Sequence, residues 1–414
     1  MIDKAIKFLK NNFILFFILY YFTLFLDTTS LEIDYPIIET ISKILRYVAY
    51  FLFFIRLICI LPEYKKDIFG KKWKDNSFIV KCIYIVIIIM IISLVINFLT
   101  TGNRRLIFLI FVLITCYKTD YNKIIKTTMN LQIMLTSILV LFSIMGVTQN
   151  YVIKRSGQGA RNSLGFLYPT NLSQMIVFSS ILYLYERKGN VNIKKLFFIQ
   201  LLNSFTYFIT DSRTEFIMLE TIIIIMLIYK IFIKMQKTQI LEKVKKIYSY
   251  IFLRIFVFLP IVSLIVVMCY PLGGVWNKLN NVLSNRLKQT YDNIIEYNLH
   301  PFGEDVDFIG LGLREKIEYG KYESNFVDNE YIHMMFNEGY VFAIGFILII
   351  NLLLIMLYER QRYKEIILCS IYLAFGVLNP RIVNILYCPI LFMIIPIISE
   401  YKNNYIKNKI IDIS

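Results

Sequence analysis

Apolar runs of roughly 18–25 residues recur along this chain, and a run of that length crosses a bilayer as a single helix. Lipid offers no partner to an exposed N–H or C=O, so only helices and closed β-barrels span it. The ten-residue alternation of apolar and polar positions that marks a barrel strand is absent. The expected fold is therefore an all-α polytopic integral membrane protein. About twelve transmembrane helices are expected, near 13–31, 41–61, 78–98, 104–118, 127–147, 166–185, 195–211, 214–233, 249–271, 335–358, 365–379 and 382–399. Hydrophobic residues fill 57% of the 414 positions, which excludes an ordinary soluble domain. The first run lacks a small-residue cleavage site and is expected to begin the bundle. All six cysteines lie in or beside these runs without a CxxC pair, and they read as packing residues.

One long polar interruption divides the chain into 1–271 (spans 1–9), a loop at 272–334, and 335–414 (spans 10–12 and a tail). A turn at Gly273-Gly274 opens it. Leu279, Val282, Leu283, Leu287, Tyr291, Ile294 and Ile295 then recur at the spacing of an amphipathic helix. Pro301, Gly303, Gly310 and Gly312 punctuate the next stretch of the loop. A loop this long that mixes aromatic, apolar and charged residues is expected to fold into short helices and to be functional.

Charge supplies the orientation. Lysines crowd the N-terminus, the 62–77 and 234–246 loops and the C-terminus, and 25 of 31 fall on one side of the expected spans. That side is cytoplasmic by the positive-inside rule, which accounts for the net charge of +16 without nucleic acid. The expected location is the cytoplasmic membrane, multi-pass, with both termini inside and 272–334 outside. Arginine departs from this pattern. Arg46, Arg104, Arg105, Arg155, Arg161, Arg213, Arg286, Arg314 and Arg381, nine of the fourteen, fall on the outer half. A guanidinium matches phosphate or carboxylate bidentately where an ammonium is a hydrated point charge. The outer face thus reads as built for an anion such as a diphosphate or acidic sugar; pairing with lipid headgroups or loop carboxylates is the alternative.

Several short stretches carry candidate chemistry. Arg155 and Arg161 flank two glycines, either as a ligand-binding basic loop or as an ordinary surface loop. Asp211-Ser212-Arg213-Thr214 makes a tight turn that holds Arg213 at the membrane boundary, and Glu220 lies two helical turns deeper. On a helix over 329–340, Asn329, Glu330, His333, Asn337 and Tyr340 share one face, opposite Tyr331, Ile332, Met335 and Phe336. His333 is a natural acid/base group or a hydrogen-bonded loop residue, and Asp328 a base or a helix N-cap. Glu32-Ile33-Asp34 has the acidic spacing of membrane mannosyltransferases, or simply keeps the first outer loop acidic. No P-loop, GxGxxG, HExxH or Cys/His metal spacing occurs, so neither cofactor nor metal is expected.

LNNVLSNRLKQTYDNIIEYNLHPFG and VDNEYIHMMFNEGYVFAIG, with the Ser212–Thr214 turn, resemble the signatures of the O-antigen and capsular polysaccharide polymerases (Wzy-type), whose superfamily includes the O-antigen ligases. The resemblance implies a GT-C-like bundle and a metal-independent glycosyltransferase working outside the cytoplasmic membrane. It would move a growing glycan from undecaprenyl diphosphate onto an incoming lipid-linked oligosaccharide repeat unit. It implies Arg213 and Arg286 for diphosphate charge, Arg155, Arg161 and Asn329 for substrate contacts, and Asp328, Glu330 or His333 as base. Ligases carry a His where this chain has Asp328, which favours a polymerase. The partners implied are the lipid-linked oligosaccharide, the bilayer, and the flippase and chain-length regulator of the same pathway. A lipid-linked oligosaccharide flippase is the competing class, but it calls for symmetric halves and short loops. A metal-dependent mannosyltransferase is a third. Exchanging Glu32 and Asp34 together for Ala separates that third reading, since polymer formation, followed as a glycan ladder on gels, should persist in a Wzy-type enzyme and vanish in the metal-dependent one.

Overall fold

A computed structural model describes residues 2–64, 78–154, 159–187, 191–235, 238–320 and 324–398. It is mostly helical. In order the helices are α1 (Ile2–Asn11), α2 (Phe13–Leu26), α3 (Leu31–Asp34), α4 (Pro36–Tyr64), α5 (Phe78–Thr101), α6 (Arg105–Thr115), α7 (Tyr121–Ile144), α8 (Pro169–Glu186) and α9 (Ile193–Thr210). They continue as α10 (Arg213–Lys234), α11 (Thr238–Ile255), α12 (Phe258–Met268), α13 (Val275–Val282), α14 (Arg286–Tyr297), α15 (Leu313–Tyr319), α16 (Glu330–Asn337), α17 (Tyr340–Glu359) and α18 (Tyr363–Phe375). A two-stranded antiparallel hairpin, β1 (Val152–Lys154) and β2 (Ala160–Asn162), pairs Ile153 with Arg161.

Four described helices are long and apolar enough to cross a membrane: Pro36–Glu63, Phe78–Thr101, Tyr121–Ile144 and Tyr340–Glu359. Gln239–Ile255 and Phe258–Leu272, bent by 54° at a short break, make a fifth if taken as one span. These coincide with expected spans 41–61, 78–98, 127–147, 335–358 and 249–271. Phe13–Leu26, Leu106–Thr115 and Pro389–Ile398 are apolar but shorter, at 10–17 residues. The outside of the bundle is apolar as well: Phe197, Phe198, Leu201, Phe205 and Phe208 all stand exposed on α9. This is an all-α chain of the kind that lives in a membrane.

Two expected spans take a different form. The run at 335–358 is interrupted: α16 ends at Asn337 and α17 begins at Tyr340, because Gly339 adopts φ +89°. The run at 382–399 begins as irregular chain after α18 and turns helical only from Pro389. Asn379, Pro380 and Asn384 compete with helical hydrogen bonding there. Buried irregular backbone needs partners from elsewhere, and side chains supply them. Tyr21 Oη (2.8 Å) and Gln132 Nε2 (2.9 Å) donate to the Leu386 carbonyl, and Tyr372 Oη donates to that of Tyr387 at 3.2 Å.

The 272–334 segment folds back over one end of the bundle as α13, α14, α15 and connecting chain. Leu287, Val306 and Val327 are buried there with Val267, Ile332 and Phe336, while Leu279, Leu283, Tyr291 and Ile294 pack around them. Five of the seven helically spaced apolar residues thus serve this small core; Val282 and Ile295 remain exposed. The single amphipathic helix expected here is two helices, broken where Ser284 and Asn285 both take positive φ. Helix α16 stitches the small core to the large one, burying Ile332 and Phe336 in the former and Tyr331 and Met334 in the latter.

The HPFG and NEGY stretches of the two motifs meet at a backbone crossing. Tyr340 N and Val341 N donate to the carbonyls of His300 and Pro301, each at 3.2 Å, and Glu304 N donates to Phe336 O at 2.8 Å. Asn97 of α5, itself buried, donates to Phe302 O at 2.6 Å and Asn337 O at 2.8 Å. A Cβ on Gly339 would collide with the backbone of Pro301 and Gly303, and one on Gly303 would sit 2.7 Å from Asn97 Nδ2. Gly339→Ala should therefore lower stability by at least about 2 kcal/mol through left-handed strain and overpacking, read as a drop in the detergent-solubilised melting temperature; Gly102→Ala, in open space, should cost only the strain.

Candidate functional site

Beside the Asn379–Leu386 stretch lies a cavity of about 670 Å³, the larger of the two best-formed hollows among the described residues. Its cationic lining is Lys43, Arg46, Arg104 and Arg381; Asp27 is the one carboxylate. Tyr20, Tyr47, Tyr50, Phe108 and Phe326 form an aromatic wall, within which Tyr50 and Phe108 stack with centroids 4.3 Å apart. His333 closes one side. Arg46 pairs with Asp27 and donates to Thr23 O at 3.2 Å, which fixes its reach. A mouth with several guanidiniums and one acid is suited to a polyanion.

Arg381 owes its orientation to the neighbouring helices. Its Nε donates to Gln174 Oε1 at 3.2 Å and its Nη2 to Asn171 Oδ1 at 3.3 Å, both on α8. Gln174 Nε2 in turn donates to Glu215 Oε1 on α10 at 3.3 Å, and so does Asn379 Nδ2. An acceptor at Glu215 thus sets which end of the Gln174 amide faces Arg381. The guanidinium also lies over the Tyr387 ring, 5.1 Å from its centroid.

The sequence candidates separate into groups. His333 lines the cavity; its ring lies 5.0 Å from the Phe308 centroid and 3.3 Å from Asn337 Nδ2, its expected face-mate. Asn329 caps α16, accepting from Tyr331 N at 3.0 Å and Ile332 N at 3.2 Å, so the cap is Asn329 and not Asp328. Asp328 instead binds Arg286 Nε at 2.8 Å, and Arg286 Nη1 reaches Leu378 O at 3.2 Å. That pair ties α14 and the start of α16 to the irregular segment. Glu330 is buried between the two cores, its N–H donating to Gly376 O at 2.8 Å.

The remaining arginines stand elsewhere. Arg161 is buried and holds the α9–α10 turn, donating to Thr210 O at 2.7 Å and Ser212 Oγ at 3.3 Å. Arg213 is 59% exposed beside Asp211 Oδ1 at 3.6 Å and is not brought to the cavity. Arg155 lies outside the described residues. Glu220 accepts from the amides of Gln200 and Asn203, each at 2.7 Å. In the first loop, Arg314 Nη2 donates to Glu32 at 3.2 Å, and Asp34 accepts from Ser30 Oγ and Gln149 N, each at 2.9 Å. Burial, then the Asp27 charge, raises the Glu32 carboxyl above its ordinary pKa.

In the sequence Arg46, Arg104 and Arg381 stand out only as members of the outer set, and Asn171 and Gln174 only as polar groups that open the 166–185 run, while Glu215 and Asn379, taken singly, carry no mark of a role. Asn379-Pro380-Arg381, a polar interruption of two apolar runs, is the local signal that marks the spot. Arg286→Ala and Asp328→Ala should each destabilise the protein, with a coupling of roughly 0.5–1 kcal/mol in a double-mutant thermal-stability cycle for a pair that is part exposed. No family model, curated protein or solved structure matches this chain.

Proposed function

We propose that the protein is a membrane glycosyltransferase that polymerises lipid-linked oligosaccharide repeat units, with twelve spans, both termini cytoplasmic and the cavity on the extracytoplasmic side. The observation that carries this reading is the convergence of Arg46, Arg104, Arg381 and His333 on one cavity beside non-helical backbone. The lysine count supports the same reading, since 25 of 31 lysines fall on the half opposite to these arginines.

In the proposed reaction an acceptor hydroxyl of one repeat unit attacks the anomeric carbon of the glycan on undecaprenyl diphosphate. The new C–O bond forms as the bond to the diphosphate oxygen breaks. The diphosphate leaves with the electron pair, and its charge is met by Arg381 and Arg104 in a partly desolvated pocket. The hydroxyl proton passes to a base, for which His333 is the candidate that lines the cavity. The Tyr20, Tyr47 and Tyr50 wall offers apolar ring faces for sugar stacking. Arg286 and Asp328 would act from behind, holding the irregular segment that carries Arg381.

The test is incubation of purified protein with an undecaprenyl-diphosphate repeat unit, with gel separation of the products. A ladder is expected. Arg381→Ala should lower its rate by about 10²–10³-fold, the scale for loss of one transition-state charge contact, at unchanged membrane abundance. Single-unit product from the wild-type protein, or an undiminished ladder from the variant, would sink the reading or this assignment respectively.

A further inference from the structure

We propose that α13 lies in the headgroup layer of the bilayer, with Leu272, Val275 and Val282 dipped toward the acyl chains and Lys278 on lipid phosphate. This does not rest on any glycan chemistry. Leu272, Val275 and Val282 are 76%, 75% and 79% exposed, while the neighbouring Leu279 and Leu283 pack on the small core. Val275 and Val282 are two turns apart on one side of the helix. Leu279, between them, turns down into the small core with Leu287 and Val306. Asn280 points inward, its Oδ1 accepting from Lys288 N at 3.0 Å. The helix is therefore anchored on one flank and bare on the other.

The residues leading into the bare flank identify its cover. Ile261, Ile265 and Met268 stand exposed on α12 and run at helical spacing into Leu272. They belong to the apolar bent pair Gln239–Ile255 and Phe258–Leu272, the fifth candidate span. Gly273 and Gly274, with φ of +68° and +59°, then redirect the chain into α13. An apolar stripe that emerges from a span and passes through a glycine turn into a short helix is continuous with the lipid-facing surface. Exposed Lys278 and half-buried Trp276 are the residue types that favour the interface.

The chain has two tryptophans, Trp73 and Trp276, so Trp73→Phe leaves Trp276 as the sole reporter. The full chain is reconstituted into phosphatidylcholine vesicles with lipid brominated near the ester end or near the methyl end of its acyl chains. Trp276 emission should be quenched at least about twofold more by the shallow bromines than by the deep ones, as for a helix lying in the interface. Val275→Asp with Val282→Asp should abolish that quenching, while Val275→Leu with Val282→Leu should retain it. Full access to aqueous iodide without bromolipid quenching would overturn the proposal. So would protection from iodide that depends on protein concentration and is independent of bromine, the mark of a second copy. The Trp73→Phe chain by itself decides the question even if the aspartate variant fails to fold.

Discussion

A backbone carbonyl or amide removed from water must find a partner, and this requirement governs where the protein departs from plain helices. The long helices meet it internally. Between Gly376 and Cys388 it is met partly by tight turns within the stretch and partly from outside, by Tyr21, Gln132 and Tyr372. The end of α18 is closed the same way, with Tyr331 Oη donating to Leu373 O at 2.6 Å. Freed from helical geometry, the segment can present Arg381 and Asn384 sideways into the cavity. The hydrogen bonds that hold the irregular chain in place therefore also help to position Arg381 at the cavity.

The same logic sets the roles of the charged residues. A buried guanidinium needs acceptors, and Arg161, Arg56 and Arg381 find theirs without a carboxylate. Arg161 takes the carbonyl and hydroxyl of the α9–α10 turn. Arg56, almost fully buried, takes the carbonyls of Leu9, Lys10, Thr115 and Tyr117, so it fastens the ends of α1 and α6 to α4. Arg381 takes side-chain amides, which leaves it half-exposed toward the cavity. Arg161 and Arg56 thus hold the fold, whereas Arg381, held by amides, keeps a side toward the cavity.

Hydropathy made the long helices legible because lipid and backbone chemistry leave a run such as 78–98 no other choice. Periodicity placed the amphipathic face of 279–294 and the shared face of His333 and Asn337, both local properties of a helix. It did not find the break at Gly339, where the cause is the HPFG chain crossing some forty residues earlier in sequence. Nor does it separate Arg213 from Arg381: both are arginines beside a turn, Arg213 with a local acid neighbour in Asp211, and only long-range packing gives Arg381 its cradle of amides. Pairings between distant elements are where the composition of single stretches stops informing.

The crossing at Gly303 and Gly339 has an evolutionary consequence. Alongside the small apolar core and the Arg286 contacts, the segment over the bundle is registered at this crossing by main chain meeting main chain, with the Asn97 amide bonded to both chains. Bonds of that kind do not read the side chains around them. Exposed positions of that segment are free to change so long as the two glycines, the asparagine and the buried apolar positions persist, and a lineage could vary its surface without relearning how to fold.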